Sequence, residues 1–267
     1  MKLLETLLPM LIAVGCIRRG EEMSGEKPAE EVVLTVLYDN YPESSELRTA
    51  WGFSCLAYVD GRRVLFDTGG DWETLSHNMR ELGVDPKSID IVVLSHIHGD
   101  HTGGLGGFLE ADSGVTVWLL RSFPRDFKDF VRSTGAKVGE VGEDTVRIAS
   151  NIFTTGEMGT GIKEQSLVVR SGKGLVIVTG CAHPGVTNIV ERVKEKFGGD
   201  VYLVLGGFHL FGTSEGRIRS IAEDFKRLGI EKVAPCHCSG DVAKGIFEEV
   251  YGADYVDVHV GTVVRIR

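Results

Sequence analysis

The stretch Ile91 to Gly107, IVVLSHIHGDHTGGLGG, constrains this chain more than any other: an apolar run stops abruptly at a cluster of polar side chains. His96, His98, Asp100 and His101 fall within six residues, and glycines follow at 103, 104, 106 and 107. A strand would fix where the chain emerges. A short loop after it could then turn two imidazoles toward one cation, and a carboxylate with a third imidazole toward another. Neutral imidazole and carboxylate suit zinc, and also iron or manganese. The glycines permit tight turns and close backbone approach around the ions. Set between a β-like run and a Gly-rich turn, H-x-H-x-D-H reads as a metal-binding loop rather than a chance cluster of histidines.

This arrangement resembles the metallo-β-lactamase superfamily, whose signature is this loop. The resemblance implies a dinuclear site and directs attention to strand ends elsewhere in the chain. Asp67 ends a predicted strand in Asp67-Thr68-Gly69-Gly70. In the superfamily a D-T-G at this place lies under the metal site, so Asp67 is expected to orient a ligand histidine from behind.

The 267 residues, 42% of them hydrophobic, are enough for a substantial core. A formal net charge of -9, with no long basic run, opposes binding to nucleic acid. The expected partner is a small, anionic or phosphorylated molecule. Lys163, Arg170, Arg121 and Arg125 are candidates for holding a phosphate, though each also reads as solvated surface charge. Five widely spaced cysteines do not form a disulfide framework.

Residues 1–30 differ from the rest. A short apolar run, Leu7 to Gly15, precedes Cys16 and a charged stretch, and is too short to span a bilayer. Ala13-Val14-Gly15-Cys16 resembles a lipoprotein cleavage site, with Cys16 lipidated and the polar stretch as a membrane tether outside the cytoplasm. The alternative is translation from Met23, which would leave the protein cytoplasmic.

A single domain is expected over residues 31–267. Val32 to Asp39 reads as a strand covered on both faces. Phe53 to Asp60 and Arg63 to Phe66 form a hairpin about Asp60-Gly61. Asp71 to Leu82 reads as a helix leading into a strand from Asp90 to Ser95. A short helix over Gly104 to Glu110, a strand over Val115 to Leu120 and a helix over Pro124 to Thr134 follow, then a β-rich stretch to Thr155. A second hairpin, Ser166 to Arg170 with Leu175 to Thr179, leads into strand–helix alternation to the C-terminus. Together these elements predict an α/β fold: two mixed sheets packed face to face with helices outside, an α/β/β/α sandwich.

Three later strand ends carry further candidates. Gly180-Cys181-Ala182-His183 places Cys181 where the superfamily has a carboxylate or cysteine ligand, although a packed cysteine fits the position as well. His209, in Gly206-Gly207-Phe208-His209, reads either as a pocket residue acting as general acid or as a capping or core histidine. His237, in Cys236-His237-Cys238, matches the superfamily's final histidine. Members usually carry a ligand histidine between the first loop and the later hairpin, and this chain has none between His101 and His183. His183 is expected to take that role. Cys236 and Cys238 would point oppositely on a continuing strand and read as packing.

With EQSL at 164 to 167, the GCAHPG, GGFHL and PCHCSG segments are similar to the subfamily named for 7,8-dihydropterin-6-methyl-4-(β-D-ribofuranosyl)aminobenzene-5'-phosphate synthase. The expected ligands are His96, His98, His183, Asp100, His101 and His237 around two divalent ions, with zinc favoured over manganese or iron. Asp100 is expected also to orient the nucleophile. The expected activity is metal-assisted hydrolysis of a small phosphoester or related substrate, by a water made acidic on the metal. Two alternatives stand beside it: a transferase condensing a dihydropterin methyl diphosphate with a ribofuranosyl-aminobenzene phosphate, and a non-catalytic metal-binding sensor.

Overall fold

The computed structural model describes residues 27–267; the Cys16 segment lies outside them. Among the described residues no helix is long and apolar enough to cross a membrane.

Strands β1 (Val32–Tyr38), β2 (Ser54–Val59) and β3 (Arg62–Phe66) run antiparallel. The β2–β3 turn is the one the sequence predicts. Asp60 and Gly61 have φ of 45° and 90°, the double positive φ that a two-residue type I′ turn needs. Helix α1 (Trp72–Glu81) starts at Asp71, whose side chain accepts the Thr74 N–H at 2.7 Å. From here the sheet becomes parallel, through β4 (Ile91–Val93), β5 (Thr116–Leu120) and β6 (Lys137–Val141). Between β4 and β5 lie α2 (Gly99–Thr102) and α3 (Leu105–Ala111), and α4 (Arg125–Ser133) follows β5.

The second half repeats the scheme. Strands β7 (Val146–Ala149), β8 (Ile152–Thr154), β9 (Leu167–Ser171) and β10 (Gly174–Thr179) are antiparallel neighbours. Then α5 (Val186–Phe197), β11 (Val201–Gly207), α6 (Glu215–Arg227), β12 (Lys232–Cys236) and α7 (Asp241–Tyr251) alternate, with β10, β11 and β12 parallel. The last strand, β13 (Val263–Ile266), returns to β1. One sheet has the order β13-β1-β2-β3-β4-β5-β6 and the other β12-β11-β10-β9-β8-β7.

Period-two alternation decides which layer each side chain enters. On β10, Val176 and Val178 join the core between the sheets, while Leu175 and Ile177 face the helices. Leu203 and Leu205 on β11 divide from Val204 in the same way. The helix-facing core is closed by Phe208, Phe225 and Phe247, whose ring centroids lie 5.4 to 5.7 Å apart. The α/β/β/α sandwich is therefore present.

One expectation needs correction. The segment after His98 is not an open loop but a helical turn, α2, with His98 at its N-cap. The glycines explain it: the Gly103 and Gly104 amides donate to Gly69 O at 3.0 and 3.3 Å, and a Cβ on Gly104 would collide with the Thr68 carbonyl. That turn matters at the site, because it sets Asp100 and His101 on a helical turn apart from His98 on the extended backbone before it.

Replacing Phe225, fully buried among those rings, with alanine should cost about 3–5 kcal/mol of unfolding free energy. Denaturant titration of the metal-free protein measures it. An unchanged midpoint would show that the outer helix layer does not belong to the cooperative core.

Candidate metal centre

The site residues come from five strand ends. Asp67 follows β3, His96 to His101 follow β4, Cys181 and His183 follow β10, His209 follows β11 and His237 follows β12. Carboxyl ends of parallel strands commonly open onto a ligand crevice.

Asp67 is the fixed point. It is buried, with φ of 58°, and its Oδ1 accepts the Ser95 N–H at 2.7 Å. Its Oδ2 takes the Ser95 hydroxyl at 2.7 Å and His101 Nδ1 at 2.7 Å. The single Ser95 hydroxyl proton is thereby used, so His96 Nδ1–H donates to Ser95 Oγ at 2.8 Å. Both imidazoles are locked with Nδ1 protonated, and each directs the Nε2 lone pair inward. His96 Nε2 meets His98 Nδ1 at 3.1 Å, and His101 Nε2 lies 3.2 Å from Cys181 Sγ and 3.7 Å from Asp100 Oδ2.

A second carboxylate shapes the Cys181 loop. Glu164 Oε1 accepts the N–H groups of Gly180, Cys181 and Ala182 at 3.1, 3.0 and 2.8 Å, and Oε2 that of His183 at 2.8 Å. Ala182 is held at φ 59°. This clasp brings the His183 ring to 4.8 Å from His96 and 5.0 Å from His98. His183 thus comes beside His96 and His98 from a different strand end.

His237 is fixed by the end of β1. Its N–H donates to Asp39 Oδ1 at 3.0 Å, its Nδ1 meets Asn40 Oδ1 at 2.9 Å, and Asn40 Nδ2 donates to His237 O at 3.1 Å. The Nε2 then faces Asp100 Oδ2 at 3.4 Å, with Trp51 packed 4.9 Å from the ring.

Two histidine-rich sets of converging donor atoms result, each within 4.8 Å: His96, Cys181 and His183; and Asp100, His101, Cys181 and His237; a third group, Cys181, His209 and Cys238, lies beside them. Cys181 belongs to all three. His98, on an extended backbone, turns to the first set, whereas Asp100 and His101 on the α2 turn face the second. His209 stands beside His183, with centroids 4.4 Å apart.

Charge follows burial. His96 is held far below its ordinary pKa by burial and by the surrounding imidazoles, and His183 is pushed down to about 4 by burial, His209 and His98. Burial would raise Asp100, but His237 and His101 hold its carboxyl well below the usual range. Burial lifts Asp39 and Glu164 to about 7 against the N–H groups that each accepts.

The sequence reading gave no site role to five residues here: Ser95, Asp39, Asn40, Glu164 and Cys238. Asp39 and Asn40 were visible only as a polar pair ending a strand, and Glu164 only within the EQSL motif. Cys238 was misplaced: the strand stops at Cys236, a tight turn over His237–Ser239 follows, and Cys238 turns back toward Cys181 and His209. Cys236 packs in the core as expected. Three of the four phosphate candidates lie against acidic groups. Arg125 pairs with Asp129 at 3.5 Å and Lys163 with Glu157 at 3.9 Å, and Arg121 shares a cleft with Glu143, Asp144 and Glu157.

A cavity of ≈ 460 Å³, lined by Met158 to Ile162, His183, Pro184 and Asn188, adjoins the site. Its loop is closed at the base by Met158 and Glu164, which exchange backbone hydrogen bonds at 2.9 and 3.0 Å.

The family model for the metallo-β-lactamase superfamily matches residues 51–237, which hold every donor named above. The chain belongs to this superfamily. Among its members, the chain is 29% identical to the 7,8-dihydropterin-6-methyl-4-(β-D-ribofuranosyl)-aminobenzene-5'-phosphate synthase of Methanocaldococcus jannaschii, over 87% of this chain and 96% of that one. It is 32% identical to Tm1679, a metal-dependent hydrolase of the β-lactamase superfamily, whose structure superposes with a TM-score of 0.74 over 87% of this chain and 98% of that one. A ribonuclease Z of Clostridium botulinum is 40% identical over 78 residues, 28% of this chain and 24% of its own.

Replacing Asp67 by alanine should free both imidazoles to rotate and weaken zinc binding by about 10–100-fold. Competition against a chromophoric chelator measures the change. Unaltered affinity would show that Asp67 does not set the histidine tautomers.

Proposed function

We propose that this superfamily member is a metal-dependent hydrolase acting on a small anionic ester, such as a phosphoester. The observation that carries the proposal is the pair of donor sets sharing Cys181 beside an open cavity. The donors fit divalent cations, zinc above all: imidazole, carboxylate and thiolate converge, and the buried Nε2 atoms of His183 and His237 have no hydrogen-bond partner. His96, His98, His183 and Cys181 would hold one ion, and Asp100, His101, His237 and Cys181 the other. Bound there, two such ions supply charge neutralisation and an acidified water.

The chain's own groups do the rest. Asp67 and Ser95 keep His96 and His101 in one tautomer, and Asn40 does the same for His237, so the donors need no reorganisation. The Asp100 carboxylate, held ionised, turns Oδ2 toward His101 and His237, and its other oxygen would orient the attacking water by hydrogen bonding. The cavity beside His183, with mostly backbone and apolar walls, would seat the organic part of the substrate. A net charge of -9 opposes a polynucleotide substrate.

A second reading is supported by the match over nearly the full length of the dihydropterin synthase. The same two ions would then neutralise a diphosphate leaving group, and the nucleophile would be an aminobenzene riboside phosphate instead of water.

Pyrophosphate release by the zinc- or manganese-loaded protein separates the two, with the dihydropterin methyl diphosphate and the aminobenzene riboside phosphate tested singly and together. Hydrolysis predicts turnover of a phosphoester panel, or release from the diphosphate alone. Release that requires both substrates would replace the hydrolase reading with the synthase one. In either case His96→Ala should reduce turnover by more than the roughly 100-fold typical of changes behind the ligands. A fully loaded protein inert on every substrate would overturn both readings in favour of a sensor.

A further inference from the structure

We propose that Cys181, His209 and Cys238 form a third cation subsite, selective for a thiophilic ion such as zinc or cadmium, beside the two donor sets described above. The three donor atoms lie within 4.8 Å of one another. Two sulfurs and one imidazole make a softer set than the histidine–carboxylate groups, so the subsite should discriminate strongly against manganese and magnesium. Three protein ligands leave a tetrahedral ion one open position. His209 and His183 line a second, smaller cavity of ≈ 170 Å³ with Thr187, Asn188 and Arg217, from which a water or small anion could fill it.

The arrangement is built rather than incidental. A Cβ on Gly207 would collide with the Gly180 carbonyl and lie 2.7 Å from Cys238 Sγ and 3.3 Å from Cys181 Cα, so glycine here serves both the close approach of β11 to Gly180 and the space that Cys238 occupies. Ala182, His209 and His237 all hold left-handed φ values, of 59°, 53° and 49°. Such conformations in residues other than glycine cost energy and persist where the surroundings enforce them. Here they are enforced by ties between the loops. Phe208 N–H donates to Ser239 Oγ at 3.0 Å, and Phe211 N–H to Cys238 O at 3.1 Å. Ala182 and His237 stand next to Cys181 and Cys238 in the chain, and His209 is itself a donor of the subsite. Cys181 and Cys238 are both 4% exposed, whereas His209 opens to solvent, giving the ion a route in.

This assigns His209 to the metal rather than to proton transfer, and it does not depend on which reaction the two main ions support. The rival arrangement is a Cys181–Cys238 disulfide, which would require an external oxidant and would withdraw Cys181 from both other sets.

Cadmium titration of the full chain under air-free, reducing conditions tests the proposal through the thiolate-to-metal charge-transfer absorption and the number of ions bound. The wild-type protein should bind one cadmium more than either Cys238→Ser or His209→Gln, and both variants should lose part of the charge-transfer band. His96→Ala should lose cadmium from the histidine set while keeping the part of the band that depends on Cys238. His209 is exposed, so His209→Gln should fold even if Cys238→Ser does not. Equal stoichiometry in wild type and His209→Gln would overturn the subsite.

Discussion

The buried Asp67 carboxylate is the contact on which the geometry of the whole centre depends. Its two oxygens accept from a backbone amide, a serine hydroxyl and an imidazole, and no solvent competes for them. Because Ser95 has one proton to give, fixing its hydroxyl also fixes the tautomer of His96. One side chain at the end of β3 thus determines which nitrogen two histidines beyond the neighbouring strand present inward. A water in that position could rotate; the carboxylate, anchored at φ 58° by its own backbone, cannot.

Glu164 plays the corresponding part for the other sheet. Four consecutive amides converge on one carboxylate, which forces the chain after β10 into a tight curl with Cys181 and His183 on its inner side. The energetic logic is that of any buried charge: removing a carboxylate from water is expensive unless several donors replace the lost hydration. The donors here are backbone groups that would otherwise be buried without partners, so the two needs offset one another. His237 completes the pattern through Asp39 and Asn40.

Much of this was legible in the sequence, and the limits of legibility have physical causes. The H-x-H-x-D-H loop, the Asp60-Gly61 turn and the strand–helix alternation are local patterns, and the fold follows from them. The convergence of His183 on His96 and His98 could be anticipated only from the absence of a histidine elsewhere, since it joins residues on opposite sheets. Glu164 and Asn40 act through contacts 16 to 19 and 197 positions away, respectively. No periodicity encodes such pairs. Cys238 was misread because alternation was extended past the last residue of β12, where a positive φ at His237 ends it.

The backbone bridge between Met158 and Glu164 separates two segments that the sequence joins. On one side is the clasp that curls the Cys181 loop. On the other is a five-residue tip, Gly159 to Lys163, of which Gly159 to Ile162 wall the larger cavity. Insertions into that tip would reshape the cavity without transmitting strain to the donors, because the bridge absorbs the change at its base. Of the donors only His183 also walls the cavity, so a changed tip would alter substrate preference with the other donors in place, and relatives with the same ligands need not share a substrate.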